Sequence, residues 1–277
     1  MPIRSILFSA FLGLASVTAE ANDHITWLHP EFPPSYIGSG EFEGQGYLDR
    51  QLAALQGLLP GFAHSTITAP LTRVWHELPR TDGFCFLGAS ITEERLKLAV
   101  FSKRGIYTPI IQLAMREDEA DRIRPYLNAD GEVELDKLKT ASGLEGAYTD
   151  TATYGQAIDD FIHAGDRTVT LTKVVEMRHP FTLLQKGRAD FIFVWPEQLT
   201  FYKRSEHSDL ATTSFRVAGT SDAQPYYVAC SKGAVGQKAI TRIDAVLAQP
   251  AAWHQFVEPL KSWFPPIDFE RADSAAE

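Results

Sequence analysis

The chain has 277 residues, with 26 Lys+Arg against 35 Asp+Glu and two cysteines, so its formal charge is −9. That balance excludes a duplex nucleic-acid binder, which needs a basic face for phosphate, and disfavours adhesion to anionic lipid. Hydrophobic residues at 44% supply a sizeable core, while two cysteines are too few for a disulfide framework or a four-cysteine zinc site.

The N-terminus carries Arg4, an apolar run from Ile6 to Val17, and then Ala19-Glu20-Ala21. This pattern predicts a secretory signal cleaved after Ala21. The apolar run is shorter than the ~20 residues a membrane span requires. Removing residues 1–21 leaves 277 − 21 = 256 residues and an unchanged charge, because Arg4 and Glu20 cancel. The exported chain is expected in the periplasm of a Gram-negative host. Cys85 and Cys230 then meet an oxidising compartment. Two readings stay open for them: a bridge closing a long loop, or two buried thiols on the apolar segments FCFLG and YYVAC.

Short apolar runs alternate with amphipathic segments, which predicts an α/β chain. His24 to His29 is a strand ended by Phe32-Pro33-Pro34. Gly38 to Gly46 is a turn region. Tyr47 to Leu58 has apolar residues at helical spacing and stops at Pro60-Gly61. Phe62 to Thr68 is a strand, Leu71 to Leu78 a short helix, and Gly83 to Leu87 a strand. Ser90 to Ser102 follows, and an extended apolar run reaches Met115. Glu117 to Leu127 is charged and helical. A second unit holds strands near Leu144 to Tyr148 and Val169 to Leu171, helices at Thr153 to Ile162 and Val174 to Gln185, and the apolar strand Ala189 to Trp195. After a polar stretch, Pro225 to Cys230 is a strand, followed by helices at Gly236 to Ala248 and Ala251 to Trp263. The charged tail is expected to fray.

Two α/β units with a leftover C-terminal strand and helices imply that the chain returns to its first unit. Such two-lobed proteins bind ligands between lobes and close by hinge motion. Chemistry-bearing motifs are scarce. None of the eight histidines stands in a zinc-ligand spacing, and no nucleophile elbow, phosphate loop or dinucleotide fingerprint occurs, so neither metal nor cofactor is expected.

The run Gly88-Ala89-Ser90-Ile91-Thr92-Glu93-Glu94-Arg95, then Phe101-Ser102 and Tyr107, resembles a signature of family 3 extracellular solute-binding proteins. Other segments match in order: Phe32-Pro33-Pro34 after the first strand, Gly46 to Leu52 with Asp49 at a helix entry, Leu135 to Lys139 opening the second lobe, and Gly187-Arg188-Ala189-Asp190 before a buried strand. A narrower similarity, in LPGF, TRVWHEL and the Cys before the T-x-x-R turn, points to a little-characterised bacterial branch. The resemblance implies a two-lobe type II periplasmic-binding-protein fold. Lobe one would span 22–107 plus 226–263 and lobe two 108–225, with hinge crossings near 107–111 and 220–225 and a tail at 264–277.

For the site, the resemblance implies that Arg95 grips a ligand carboxylate, with Ser90 and Thr92 beside it. A forked guanidinium suits that task. Thr151 and Thr153 stand where the family offers free backbone N–H groups at a helix start. The family's two ammonium-holding acids are replaced here, by His29 and Trp195, leaving Glu197 as a substitute. Trp27, Tyr36 and Trp195 are candidates to stack on a flat or cationic ligand. The implied role is capture of a small polar, carboxylate-bearing, amino-acid-like molecule by a monomer serving an ABC-type permease. The alternatives are a dehydratase-like enzyme on the same scaffold, using Glu197, His29 or Asp150 as acid or base, and a ligand-sensing partner of a membrane receptor.

Overall fold

The computed structural model describes residues 23–150, 154–221 and 223–264. The expected signal segment, Thr151, Thr153 and the tail from residue 265 lie outside the described residues.

The first sheet opens with β1 (Asp23–His29), which leads through a loop to α1 (Tyr47–Leu58) and β2 (Phe62–Thr68). Strands β1 and β2 pair in parallel over their whole length. Helix α1 buries Tyr47, Leu48, Gln51, Leu52 and Leu55, the stripe that a 3.6-residue period lays on one face. Its start is fixed by Asp49, whose Oδ2 accepts from Gly46 N and Ile37 N, both at 2.9 Å. Gly46 has no room for a side chain, since a Cβ there would lie 2.3 Å from Ser35 O and 2.8 Å from Pro34 O. The loop ahead of α1 includes a cis bond between Pro33 and Pro34.

Next come α2 (Leu71–Glu77), β3 (Phe84–Ala89), α3 (Glu93–Leu98), β4 (Val100–Phe101) and β5 (Ile106–Pro109). Thr92 caps α3 by accepting from Arg95 N at 3.2 Å, with Glu93 and Glu94 in the first turn where the helix dipole favours them.

The second sheet begins with β6 (Gln112–Arg116), followed by a 3-10 segment over Glu117–Tyr126 with Pro125 inside it, and α4 (Leu135–Leu138). Then follow β7 (Glu145–Thr149), α5 (Gln156–His163), β8 (Thr170–Val174), α6 (His179–Gln185), β9 (Phe191–Val194), α7 (Pro196–Ser205) and β10 (Thr212–Phe215). The chain then returns to the first sheet through β11 (Ala223–Cys230), and α8 (Ala234–Leu247) and α9 (Pro250–Val257) pack there.

The first sheet has the order β2-β1-β3-β11-β4, with β5 also pairing β11, and the second has β10-β6-β9-β7-β8. The two passages between sheets lie side by side, because β5 runs antiparallel to the start of β11 with Tyr107 opposite Pro225. The first sheet and its helices share one hydrophobic core. The second sheet is covered on both faces. Leu113, Met115, Phe191 and Phe193 point into one cluster, and Ala114, Ile192 and Val194 into another, as strand alternation requires. Asp190, from the Gly-Arg-Ala-Asp motif, works within this second unit: it pairs with Arg122 and accepts from Glu145 N at 2.8 Å.

Cys85 and Cys230 face each other across β3 and β11 and are joined as a disulfide. Several local readings change. Thr172 to Val174 extend β8 alongside β7, so the helix expected from Val174 starts only at His179. The expected helix at Glu117 to Leu127 takes 3-10 form. Helix α7 and strand β10 are additions that no local pattern singles out. The last helix ends at Val257 and continues as a 3-10 turn over Glu258–Ser262. Among the described residues no helix is long and apolar enough to cross a membrane.

Candidate functional site

Between the two sheets lies a cavity of about 240 Å³. This is slightly below the ~300–1,000 Å³ of pockets for drug-sized ligands, so it suits a small metabolite. Its wall is drawn from three sources. The first unit gives Phe32, Ser35, Tyr36, Tyr47, Gly88 and Ser90; the crossings give Thr108, Pro109, Gln224 and Pro225; the second unit gives Trp195, Glu197 and Gln198.

Local sequence explains how these side chains arrive. Strands β1 and β3 are parallel, so their C-terminal ends open on the same edge, which carries Phe32 and Ser90 just beyond them. Tyr36 is held by its hydroxyl, which donates to Leu87 O at 2.9 Å, and by its ring against His29 at 4.3 Å. Trp195 ends β9 and stacks on Tyr154 with ring centres 5.8 Å apart. Pro196 takes the first position of α7, where its missing N–H costs nothing, and puts Glu197 in the first helical turn.

Glu197 is the chemically unusual group. It is buried, and its Oε2 has no hydrogen-bond partner. Burial pushes its carboxyl from 4.5 up to about 8, against the lowering effect of a bond from its own backbone N–H. The dipole of α7 also favours the anion, but such an effect is worth ~0.3–1 kcal/mol. The rise itself corresponds to about 5 kcal/mol at 1.36 kcal/mol per pH unit, so desolvation wins. At neutral pH the unliganded cavity therefore holds a carboxylic acid.

Around Glu197 the polar groups are phenols and amides. Ser35 Oγ donates to Tyr47 Oη at 2.7 Å, and Tyr226 Oη donates to Gln51 Oε1 at 2.6 Å. The tyrosines titrate above their ordinary range, mainly through burial and secondarily through nearby acidic groups, Glu197 among them. They remain neutral donors.

Among the described residues, the remaining sequence-predicted ones fall outside the wall. Arg95 lies over the Trp75 ring at 4.2 Å and donates from Nη1 to Ser90 O at 3.0 Å, one residue removed from the cavity. Thr92 caps α3. Trp27 is fully buried in the core of the first unit. Its Nε1 donates to His64 Nδ1 at 3.2 Å, and His64 Nε2 reaches Leu59 O at 3.1 Å, a pair of bonds that assigns the imidazole proton to Nε2. His29 bonds Asp49 rather than facing the cavity, and Asp150 pairs with Lys173 at 3.3 Å. Sequence reading does not single out Tyr47, Tyr226, Ser35 and Gln198. Tyr47 and Tyr226 stand 179 positions apart (226 − 47) and meet only because β11 returns beside α1.

No family model matches the sequence, and neither does any curated protein. Solved structures do match in fold. A probable amino-acid ABC transporter extracellular-binding protein, ytmK from Bacillus subtilis, superposes with a TM-score of 0.65 at 16% identity, covering 87% of this chain and 97% of that one. A histidine kinase sensor domain with similarity to periplasmic binding proteins gives 0.58 at 16% identity, over 88% and 98%. The ancestral amino-acid-binding protein AncCDT-1, a precursor of cyclohexadienyl dehydratase, gives 0.56 at 16% identity, over 87% and 95%. With its two sheets, paired crossings and returning strand, the chain has the two-lobe α/β fold of type II periplasmic solute-binding proteins.

Proposed function

We propose that this protein is an exported solute-binding protein that captures a small, polar, carboxylate-bearing molecule of amino-acid type in its interlobe cavity and delivers it to an ABC-type permease. The observation that carries the reading is the cavity itself, walled by both lobes and by the paired crossings. A ligand held there contacts both lobes at once, so closure is favoured by the contacts that only the closed form makes. We assign the hinges to Tyr107–Ile111 and Thr220–Pro225. Ser90 lies in the wall, where its hydroxyl can serve a polar ligand group, and its carbonyl is held by Arg95 from just outside. The signal-like N-terminus and the extracellular or periplasmic setting of the structural neighbours support export.

A thermal-shift screen of small carboxylates and amino acids on the purified protein tests this reading. A ligand that binds only the folded state at 100-fold its Kd stabilises by about 2.7 kcal/mol, which moves the melting temperature measurably. No hit across such a library removes the proposal. A permease gene beside this one would favour transport, and a sensor-kinase gene would favour signalling.

One observation favours a second reading. A carboxyl poised near 8 is suited to acid–base work, so Glu197 is the single candidate of the three that a scaffold enzyme could use from within the cavity. His29 and Asp150 are committed elsewhere. Chemical turnover of a bound ligand by purified protein would select this reading; recovery of the ligand unchanged selects binding.

A further inference from the structure

The two units also touch away from the crossings and the ligand cavity. Helix α7 belongs to the second unit, and its first turn gives Glu197 and Gln198 to the cavity wall. Further along the same helix, Phe201 packs against the hydrophobic cores of both units. Its ring centre lies 6.0 Å from that of Trp263 and 6.3 Å from that of Phe42, and Phe42 lies 6.3 Å from Trp263. Three rings from three separate segments thus close on one another. Arg204, three residues on, lies over the Trp263 ring at 4.6 Å and donates from Nη2 to Ser262 O at 2.6 Å. Trp263 is 2% exposed and is anchored on its own side, where its Nε1 donates to Gln45 O at 2.9 Å in the loop ahead of α1. At the rim His207 and Glu41 approach to 3.8 Å, an exposed pair that adds little. Phe42, Phe201, Arg204 and Trp263 all stand apart from the residues that wall the cavity.

We propose that this junction is a latch, which holds the two lobes closed before any ligand is bound. Swinging the lobes apart about the crossings pulls α7 from Phe42 and Trp263 and returns their apolar faces to water. Edge-on and tilted ring pairs add a geometric preference to that burial. Arg204 supplies the directional part, with a hydrogen bond from a charged donor and a cation over an indole face. Its acceptor, Ser262 O, ends a 3-10 turn over Glu258–Ser262, where the turn leaves its last carbonyls to other donors. Latch and cavity share α7. The helix that presents Glu197 and Gln198 to a ligand is therefore already in its closed position when the ligand arrives. Entry then waits on transient opening, and the ligand has less of the closure to supply by its own contacts.

Small-angle X-ray scattering of exhaustively dialysed, ligand-free protein tests the latch. Wild type should scatter as a closed form, with at least about nine-tenths of the molecules closed. Arg204→Ala removes an exposed side chain and should fold normally, which a urea midpoint checks. Loss of its two contacts should lower the closed-to-open ratio about tenfold, so that roughly half of the molecules open and the radius of gyration rises. Adding Phe201→Ala should open most of the rest. Arg124→Ala, which removes an exposed ion pair with Asp121 in the same unit, should leave the wild-type scattering curve in place. A wild type that is already open, an unchanged radius of gyration in Arg204→Ala, or an equal rise in Arg124→Ala overturns the latch. A silent metabolite screen alongside a closed wild type and opened junction variants would remove the solute-binding reading and keep the latch.

Discussion

Replacing Glu197 with glutamine removes one buried titratable group and changes little else in shape. In the folded protein the carboxyl titrates near 8, against 4.5 for an ordinary glutamate. The unfolded chain therefore loses its proton first as pH rises, and stability falls wherever the folded state holds more protons. Below pH 4.5 both states are protonated and nothing is lost. At pH 7 the cost to the folded state is about 3 kcal/mol (2.5 units at 1.36), and above pH 8 it levels at about 5 kcal/mol. The Glu197→Gln variant would carry no such cost, but its amide enters a site with no waiting acceptor, a fixed cost of about 1–3 kcal/mol. The two stability curves should thus cross. The variant should be the less stable protein at pH 5 and the more stable at pH 9, with the difference changing by about 4 kcal/mol across that range. Urea unfolding of ligand-free protein at each pH, with linear extrapolation, measures it. Parallel curves would refute the claim that Glu197 is buried as a neutral acid.

Other expectations follow from the same geometry. Under denaturing, non-reducing conditions the protein should show no reactive thiol, and two free thiols would contradict the Cys85–Cys230 bridge. Replacing both cysteines with Ala should lower stability, with an upper estimate near 5 kcal/mol from the entropy of a loop of this length; an unchanged denaturation midpoint would show that the bridge adds nothing. Gly46→Ala should cost about 1–3 kcal/mol, because its Cβ meets the backbone oxygens of Ser35 and Pro34. Gly57→Ala, inside the helix that Gly46 precedes and with nothing within 4 Å of its Cβ, should instead stabilise by about 0.5–1 kcal/mol; equal effects at the two positions would show that crowding at Gly46 costs nothing. Arg95→Ala removes the donor that holds the Ser90 carbonyl from outside the wall, so ligand affinity should fall by less than about tenfold; calorimetry showing a larger loss would put the guanidinium itself on the ligand.

The elements readable from sequence are those whose burial is periodic and whose ends carry breakers. Helix α1 is one, with its apolar stripe and the Pro60-Gly61 stop; strand β2 is marked by its bounding Pro60-Gly61 and Pro70 rather than by its burial, which falls from Phe62 to an exposed end. The edge strand β8 is harder to read, since Lys173 and Thr172 are exposed and Val174 begins what reads as an amphipathic helix. Helix α7 hides behind Pro196, which reads equally as the end of a strand and as a first helical residue. In the site, Ser90, Tyr36, Trp195 and Glu197 are legible because each follows a strand or a recognisable turn. Tyr47 looks like any core position of α1. Its meeting with Tyr226 depends on a strand that returns from the far end of the chain, which no local window contains.

One small solute in the interlobe cavity should give a countable stoichiometry in a binding titration of the best screening hit. Wild-type protein and Ser90→Trp, which places a large ring in the wall between β3 and the crossings, should be compared at equal folding stability. The wild-type chain should bind one ligand, and the variant should lose at least ~100-fold in affinity. Equal affinity in the two proteins, or a stoichiometry other than one, would place the ligand elsewhere and contradict it.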